Sequence, residues 1–378
     1  MGWGRVRAVL VLEDGTVFWG RGFGSPGLAV GEVVFTTGMV GYTESLTDPS
    51  YIGQILCFTY PLVGNYGVPP YSMTDEHGLP LHFESWGIKV EGVVAHEVCF
   101  TPSHWSSIMD IDEWLRREGV PGIWGIDTRR LTAKLREQGV MMGALKTYEE
   151  GDDLDIGELR ELVRRVEYGS TNYVVRASVN SPVFYESMHG HRGLIAVIDC
   201  GVKLSIVRSL LRRGYDVILL PHNVTASEVM KLDPAGVVVS NGPGNPKLCM
   251  ETIDVVRNLI EYGVPILGIC LGHQIISLAL GADTYKLPYG HRGQNKPCID
   301  LRTGRCYVTS QNHGYAVDPS TLEGTGLKLW FINADDKTVE GVIDEGRRIL
   351  GVQFHPEASP GPNDTAWVFD YFIKLLER

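Results

Sequence analysis

Short apolar runs separated by chain-breaking residues fill the first hundred positions. In "RAVLVLEDGTVFWGRGFG" (7–24) two β-branched or aromatic stretches flank "EDGT", the pattern of a hairpin turn. "GEVVFTTG", "QILCFTYP" and "GIKVEGVVAHEVC" repeat that grammar, each of strand length and each closed by Gly, Pro or a polar residue. Further on, "DIDEWLRREG" and "DTRRLTAKLREQG" place Ile111 with Leu115, and Leu131 with Leu135, four apart and follow them with Gly. These predict two short helices closing a strand-rich amino-terminal domain, residues 1–147.

Residues 148–191 open with the acidic "YEEGDDLDIGELRELVRRVEYG", which predicts one short helix, and continue as uneven polar sequence. Such composition fits a linker region. From position 192 to 378 the rhythm changes. Apolar runs ("LIAVIDCG", "DVILLP", "GVVVSNGPG", "PILGIC") alternate with amphipathic stretches ("VKLSIVRSLLRRG", "TASEVMKL", "METIDVVRNLIEYG"). Continuous apolar strands divided by helices predict a doubly wound, mostly parallel sheet, so the expected class is α/β with a strand-rich domain in front. After Gly281 come hairpin-like segments, then a closing helix in "TAWVFDYFIKLLER".

Length and charge narrow the partners. A chain of 378 residues is long for one core and suits two. A net charge of -11 argues against a surface built to grip nucleic acid or anionic lipid. No run reaches the roughly 18 apolar residues of a membrane span, and "MGWGRVRAVLVLEDGT" turns acidic too early for a signal peptide. Seven cysteines are scattered without a C-x-x-C pair, so neither a disulfide framework nor a zinc site is expected. A soluble, cytoplasmic protein follows from these readings.

One cysteine stands apart. In "PILGICLGHQ" Cys270 ends an apolar strand and precedes a helix beginning at Leu271. Parallel sheets bind ligands at the carboxyl ends of their strands, and the unpaired amides of a first helical turn favour a thiolate. Gly268 and Gly272 suit a sharp turn with close backbone approach. The alternative is an inert packed thiol, the ordinary fate of a free cysteine. A thiolate nucleophile needs an imidazole and a group to orient it. "GVQFHPEASPGP" offers His355, with Glu357 two residues on; His273, beside the cysteine, is the competing base, and a structural histidine is the competing role. "VVVSNGPGNP" supplies a glycine-rich turn after another strand, able to present amides to an oxyanion but weak evidence alone.

Together "SNGPGNP" (240–246), "GICLGHQ" (268–274), "QNHGYAVD" (311–318) and "FHPEASPGP" (354–362) resemble the class I, triad-type glutamine amidotransferase domain. The first half is similar to the amino-terminal domain of the small, glutamine-hydrolysing subunit of carbamoyl phosphate synthetase, through "GEVVFTTGMVGYTESLTDPSY", "TYPLVGNYG" and "GIDTRRLT". The resemblance implies Cys270 as nucleophile, His355 as general base and Glu357 as its orienting carboxylate. It implies backbone amides of Leu271 and Gly242 as the oxyanion hole. The L-glutamine pocket it implies comprises Ser50, Gly242, Gly244, Leu271, Gln274, Asn312, Gly314 and Tyr315, with Ser50 from the first domain. It further implies an ATP-dependent large subunit, carrying ATP with Mg2+, in a heterodimer or higher assembly that serves pyrimidine and arginine synthesis. No cofactor or metal is expected in this chain. The alternatives are the glutaminase of another synthase, a cysteine peptidase on the same scaffold, and an inactive structural or regulatory subunit. Where many relatives read "GHRGGNHP" this chain reads "GHRGQNKP", placing Gln294 and Lys296 in an expected turn outside the triad.

Overall fold

The computed structural model describes residues 6–149, 151, 152 and 154–377. Two compact units divide it: residues 1–73 with 80–171, and residues 74–79 with 172–378.

The first unit is built on strands β1 (Val6–Leu12), β2 (Val17–Gly24), β3 (Leu28–Thr36), β4 (Gln54–Phe58), β5 (Gly92–Ala95), β6 (Pro121–Trp124) and β7 (Met141–Glu149). They close into a barrel in the order β1-β2-β6-β5-β4-β3-β7. The "EDGT" segment joins β1 to β2 as a hairpin, with Leu12 N–H donating to the Thr16 carbonyl. Helix α1 (Ile111–Arg117) starts at Asp110, whose carboxylate accepts from Glu113 N–H; helix α2 (Thr128–Gln138) starts at Asp127, which accepts from Arg130 N–H. Each cap satisfies an amide that the helix itself leaves unpaired. The helices do not end the unit as their position in the sequence suggests. Strand β6 lies between them, and β7 follows and closes the barrel by pairing with both β1 and β3. The strand character of β7 is set by these distant partners. At its Gly143 a side chain would stand 2.5 Å from Val33, so absence of a side chain, which looks like a breaker locally, is what lets the strand in. Helix α3 (Ile156–Arg164), capped by Asp155, packs on β7 and β1.

In the second unit strands and helices alternate: β8 (Val183–Tyr185), β9 (Leu194–Asp199), α4 (Leu204–Leu211), β10 (Asp216–Pro221), α5 (Ala226–Met230), β11 (Gly236–Val239), α6 (Met250–Tyr262), β12 (Ile266–Ile269) and α7 (Leu271–Ala279). Then come β13 (Thr284–Asp300), β14 (Cys306–Val317), β15 (Lys328–Asn333), β16 (Val339–Asp344), β17 (Ile349–Val352) and α8 (Trp367–Leu376). The ten strands form one sheet in the order β8-β10-β9-β11-β12-β17-β16-β15-β13-β14. From β10 to β17 neighbours run parallel; outside that span they are antiparallel. Parallel strands are buried on both faces, and alternate residues show it. Ile195, Val197, Leu267 and Leu350 face one core with residues of α4 and α8, whereas Ala196, Ile198, Ile266 and Ile349 face the other with α6 and α7. Each of the buried Val, Leu and Ile side chains contributes about 1.5–3 kcal/mol relative to exposure.

The "GHRGQNKP" segment is not a turn. It lies within the long strand β13, which is irregular against β14 between Lys286 and His291 and again between Gly293 and Lys296. The glycines that read as turn signals are bulge positions here.

Candidate functional site

Cys270 connects β12 to α7 with φ 54° and ψ -102°, a conformation that L side chains rarely adopt. Such strain persists only where the surroundings enforce it, and two glycines do so here. A side chain at Gly272 would stand 2.0 Å from the Val239 carbonyl oxygen, so only glycine lets the first turn of α7 press against the end of β11. A side chain at Gly242 would stand 2.2 Å from the Cys200 carbonyl and 2.9 Å from Leu271 Cδ2, which brings the "SNGPG" turn beside the start of α7. The amides of Leu271 and Gly242 thereby belong to adjoining backbone segments at the sheet's carboxyl end.

The sulfur is enclosed, with Cys270 only 2% exposed, and its neighbours are not all apolar. The thiol donates to the Asn312 carbonyl at 3.6 Å and accepts from Gln353 Nε2 at 3.5 Å. It also interacts with the His355 ring, whose Nε2 has no settled hydrogen-bond partner. His355 follows β17, with its amide donating to the Ser310 carbonyl. Its Nδ1 lies 2.6 Å from Glu357 Oε1, so the carboxylate fixes the tautomer and leaves Nε2 towards the thiol.

A residue that the sequence reading did not select completes this group. Lys203, at the start of α4, is buried; its Nζ lies 3.0 Å from Glu357 Oε1 and donates to the Ala358 carbonyl at 2.9 Å. Burial works against the imidazolium of His355, as does the Lys203 charge, but the Glu357 carboxylate together with the Cys270 side chain outweighs them and raises the ring to about 10. Glu357 suffers burial too, and Lys203 with His355 overcomes it, lowering the carboxyl to about 2. The pair is held ionised. A lysine just past a strand in "DCGVKLS" carries no local mark of this role; only its near-complete burial does.

Other expected residues gather around the same end of the sheet. Gln274, in α7, donates from Nε2 to the Tyr315 carbonyl at 2.8 Å and to Gln353 Oε1 at 2.9 Å. Gln353, also unselected, thus bridges the helix to the thiol. Asn312, Gly314 and Tyr315 lie on β14, where Asn312 pairs in register with Arg292 of β13. Gly244, at φ 92°, completes the glycine-rich turn. Ser50 belongs to the first unit, in a short 3-10 turn where Asp48 accepts from its amide at 2.9 Å. His273 is fully buried, with burial lowering it to about 3 and neither ring nitrogen hydrogen-bonded among the described residues. It packs against Gly351 of β17, and His355 is the ring that meets Cys270.

Among the described residues, two groups bring three donor atoms within 4.8 Å of one another, as a metal would require: Glu76–His77–His189 and His291–His313–Glu340. Positive charge is already supplied in each. In the first, Arg212 Nε lies 3.4 Å from Glu76. In the second, His291 stands between Asp336 at 2.8 Å and Glu340 at 3.4 Å, using both ring nitrogens. All seven cysteines are unpaired thiols.

Both halves of the chain match known protein families. "Glutamine amidotransferase class-I" matches residues 196–375, and "Carbamoyl-phosphate synthase small chain, CPSase domain" matches residues 10–145. The carbamoyl phosphate synthase small chain of Pyrococcus furiosus is 50% identical over 98% of each chain. That of Pyrobaculum aerophilum is 51% identical over 97% of this chain and 99% of its own. The arginine-specific small chain of Saccharomyces cerevisiae is 45% identical over 98% of this chain and 89% of its own. The chain belongs to the carbamoyl phosphate synthase small chain family.

Proposed function

We propose that this protein is the glutaminase subunit of a carbamoyl phosphate synthetase. It hydrolyses L-glutamine through a cysteine thioester and delivers ammonia to an ATP-dependent large subunit, in a heterodimer or higher assembly located in the cytoplasm. The observation that carries the reading is the buried chain Cys270–His355–Glu357 at the carboxyl end of a doubly wound sheet, with His355 Nδ1 bound to Glu357 at 2.6 Å.

That geometry supports the following roles. The Cys270 thiolate attacks the side-chain amide carbon of glutamine, and the amides of Leu271 and Gly242 take up the charge that develops on oxygen. One such donor is worth about a factor of a hundred to a thousand in rate. The His355 imidazolium protonates the leaving nitrogen and ammonia departs, leaving a glutamyl thioester. The same ring, now neutral, accepts a proton from the attacking water; collapse of the adduct expels the thiolate and releases glutamate. Glu357 holds the ring in place throughout. Gly242, Gly244, Leu271, Gln274, Asn312, Gly314 and Tyr315 form the glutamine pocket in this reading, and the resemblance assigns Ser50 to the same ligand. Ammonia released into neutral water would become ammonium and lose its lone pair, so its use elsewhere requires a closely bound partner. ATP with Mg2+ belongs to that partner.

Cys270→Ser tests the assignment. Glutamine-dependent carbamoyl phosphate synthesis with the large subunit falls to background, while synthesis from ammonium salts persists. Glutamine hydrolysis surviving the substitution at near wild-type rate would remove Cys270 as the nucleophile.

A further inference from the structure

The outer face of the barrel carries a charge arrangement that the fold does not need. Arg7 of β1 and Arg21 of β2 are directly opposite each other in register. Like charges in that position destabilise a strand pair. Both are exposed, and among the described residues neither has a carboxylate partner. The same row continues to both sides: Arg7 pairs with Tyr148 of β7, and Arg21 pairs with Trp124 of β6. Four strands therefore present Tyr148, Arg7, Arg21 and Trp124 in one line, with Trp19, 55% exposed, on the same face of β2. Arg21 stacks over the Trp124 ring at 5.3 Å. These residues, with Gly20 and Gly125, line a cavity of about 540 Å3. Helix α3 covers another part of β7 and β1 and leaves this row uncovered.

We infer that this row is a docking surface for an acidic, partly apolar segment of the large subunit. The inference rests on the partner assigned under Proposed function. Trp, Tyr and Arg are the residue types that dominate interface energetics, and here five of them adjoin with no Lys or Glu among them. The charge points the same way: two unneutralised guanidinium groups lie side by side on a chain of net charge -11, so an incoming carboxylate relieves a repulsion the folded chain otherwise keeps. Arginine presents a planar fork suited to carboxylate oxygens, and the flanking rings supply apolar contact and exclude water around the pair. The lining has no Asn, Asp, Ser or Thr side chain to read a small ligand's polar edges, which favours a protein segment over a metabolite.

The test compares binding of the purified large subunit to the wild-type chain, to Arg7→Glu/Arg21→Glu, to Arg7→Lys/Arg21→Lys and to Trp19→Ala, by surface plasmon resonance at low and high salt. The charge reversal is expected to weaken binding about 100-fold at low salt and to abolish most of its salt dependence. The lysine pair restores part of the affinity, and Trp19→Ala weakens it about tenfold or more. Glutamine hydrolysis by each isolated variant stays at the wild-type rate, which also certifies the fold. A charge reversal that binds within threefold of wild type overturns the inference and leaves the partner reading intact. A wild-type chain that fails to bind the large subunit overturns both. Saturable pyrophosphate binding to the isolated chain, lost in the reversal while affinity for the large subunit is unchanged, assigns the row to small anions and overturns the docking role.

Discussion

Lys203 Nζ meets Glu357 Oε1 at 3.0 Å, on the oxygen that also faces His355. Two cations thus share one buried carboxylate beside the thiol. Each of these buried charges touches one of opposite sign, which is what permits them at so little exposure.

Lys203→Met removes the charge that opposes the His355 imidazolium. The ring, already raised, is expected to rise further. The basic limb of the glutaminase pH profile therefore moves to higher pH, and kcat falls about tenfold or more because Glu357 loses the cation that helps fix it against His355. Steady-state kcat/KM between pH 6 and 11 reads both effects. An unmoved basic limb would show that Lys203 serves packing alone.

Glu357→Gln acts in the opposite direction. Without the carboxylate, burial governs His355 and its pKa drops below the ordinary histidine value, so the ring is neutral at pH 7 and no longer ready to protonate the leaving nitrogen. Lys203 is left buried without its anion, at a cost of about 3–5 kcal/mol. The pH dependence has a definite sign. Glu357 is lowered to about 2, so the stability it contributes is present above the ordinary carboxyl range and lost as pH falls towards 2. Urea unfolding of wild type and variant at pH 7 and pH 3 should show the gap closing at the acid end.

Gly242→Ala puts a methyl group 2.2 Å from the Cys200 carbonyl, a distance no relaxation of side chains relieves. The turn must move and take its amide away from Leu271. The expected loss is about a hundredfold or more in kcat, with a smaller change in KM, as for an interaction made mainly in the transition state. An equal rise in KM at constant kcat would place Gly242 in ground-state binding instead.

How much of this was legible depends on how local the cause is. The strand-to-helix turn at Cys270 announces itself, because an apolar run, flanking glycines and helical spacing (Ile275, Leu278, Ala279) all lie between Pro265 and Ala279. His355 and Glu357 are visible as a pair two residues apart, though their joining to Cys270, 85 positions away, needs the parallel sheet. Lys203 and Gln353 are invisible for a physical reason: a lysine or glutamine is ordinarily exposed, and only complete burial marks these two. The barrel's closure by β7 and the strand running through "GHRGQNKP" were misread alike, since in both the glycine that breaks a local pattern is what distant partners require.

His291 offers the clearest test of a buried charge outside the thiol group. It faces Asp336 and Glu340, with neutral His313 across the strand pair in register. Burial lowers His291, but the two carboxylates outweigh it and hold the ring at about 9; Asp336 in turn is held well below the usual carboxylate range despite its own burial. His313 is pushed well down by burial first and the His291 charge second. Because the folded value of His291 lies above the unfolded one of about 6.5, its stabilising contribution is complete below that pH and disappears as pH rises through 9. His291→Gln removes it. The difference in unfolding free energy between wild type and this variant, measured in urea, is therefore largest near pH 6 and shrinks steadily up to pH 10, while all groups common to both proteins cancel. A difference that stays constant across that range would mean His291 is neutral in the folded chain.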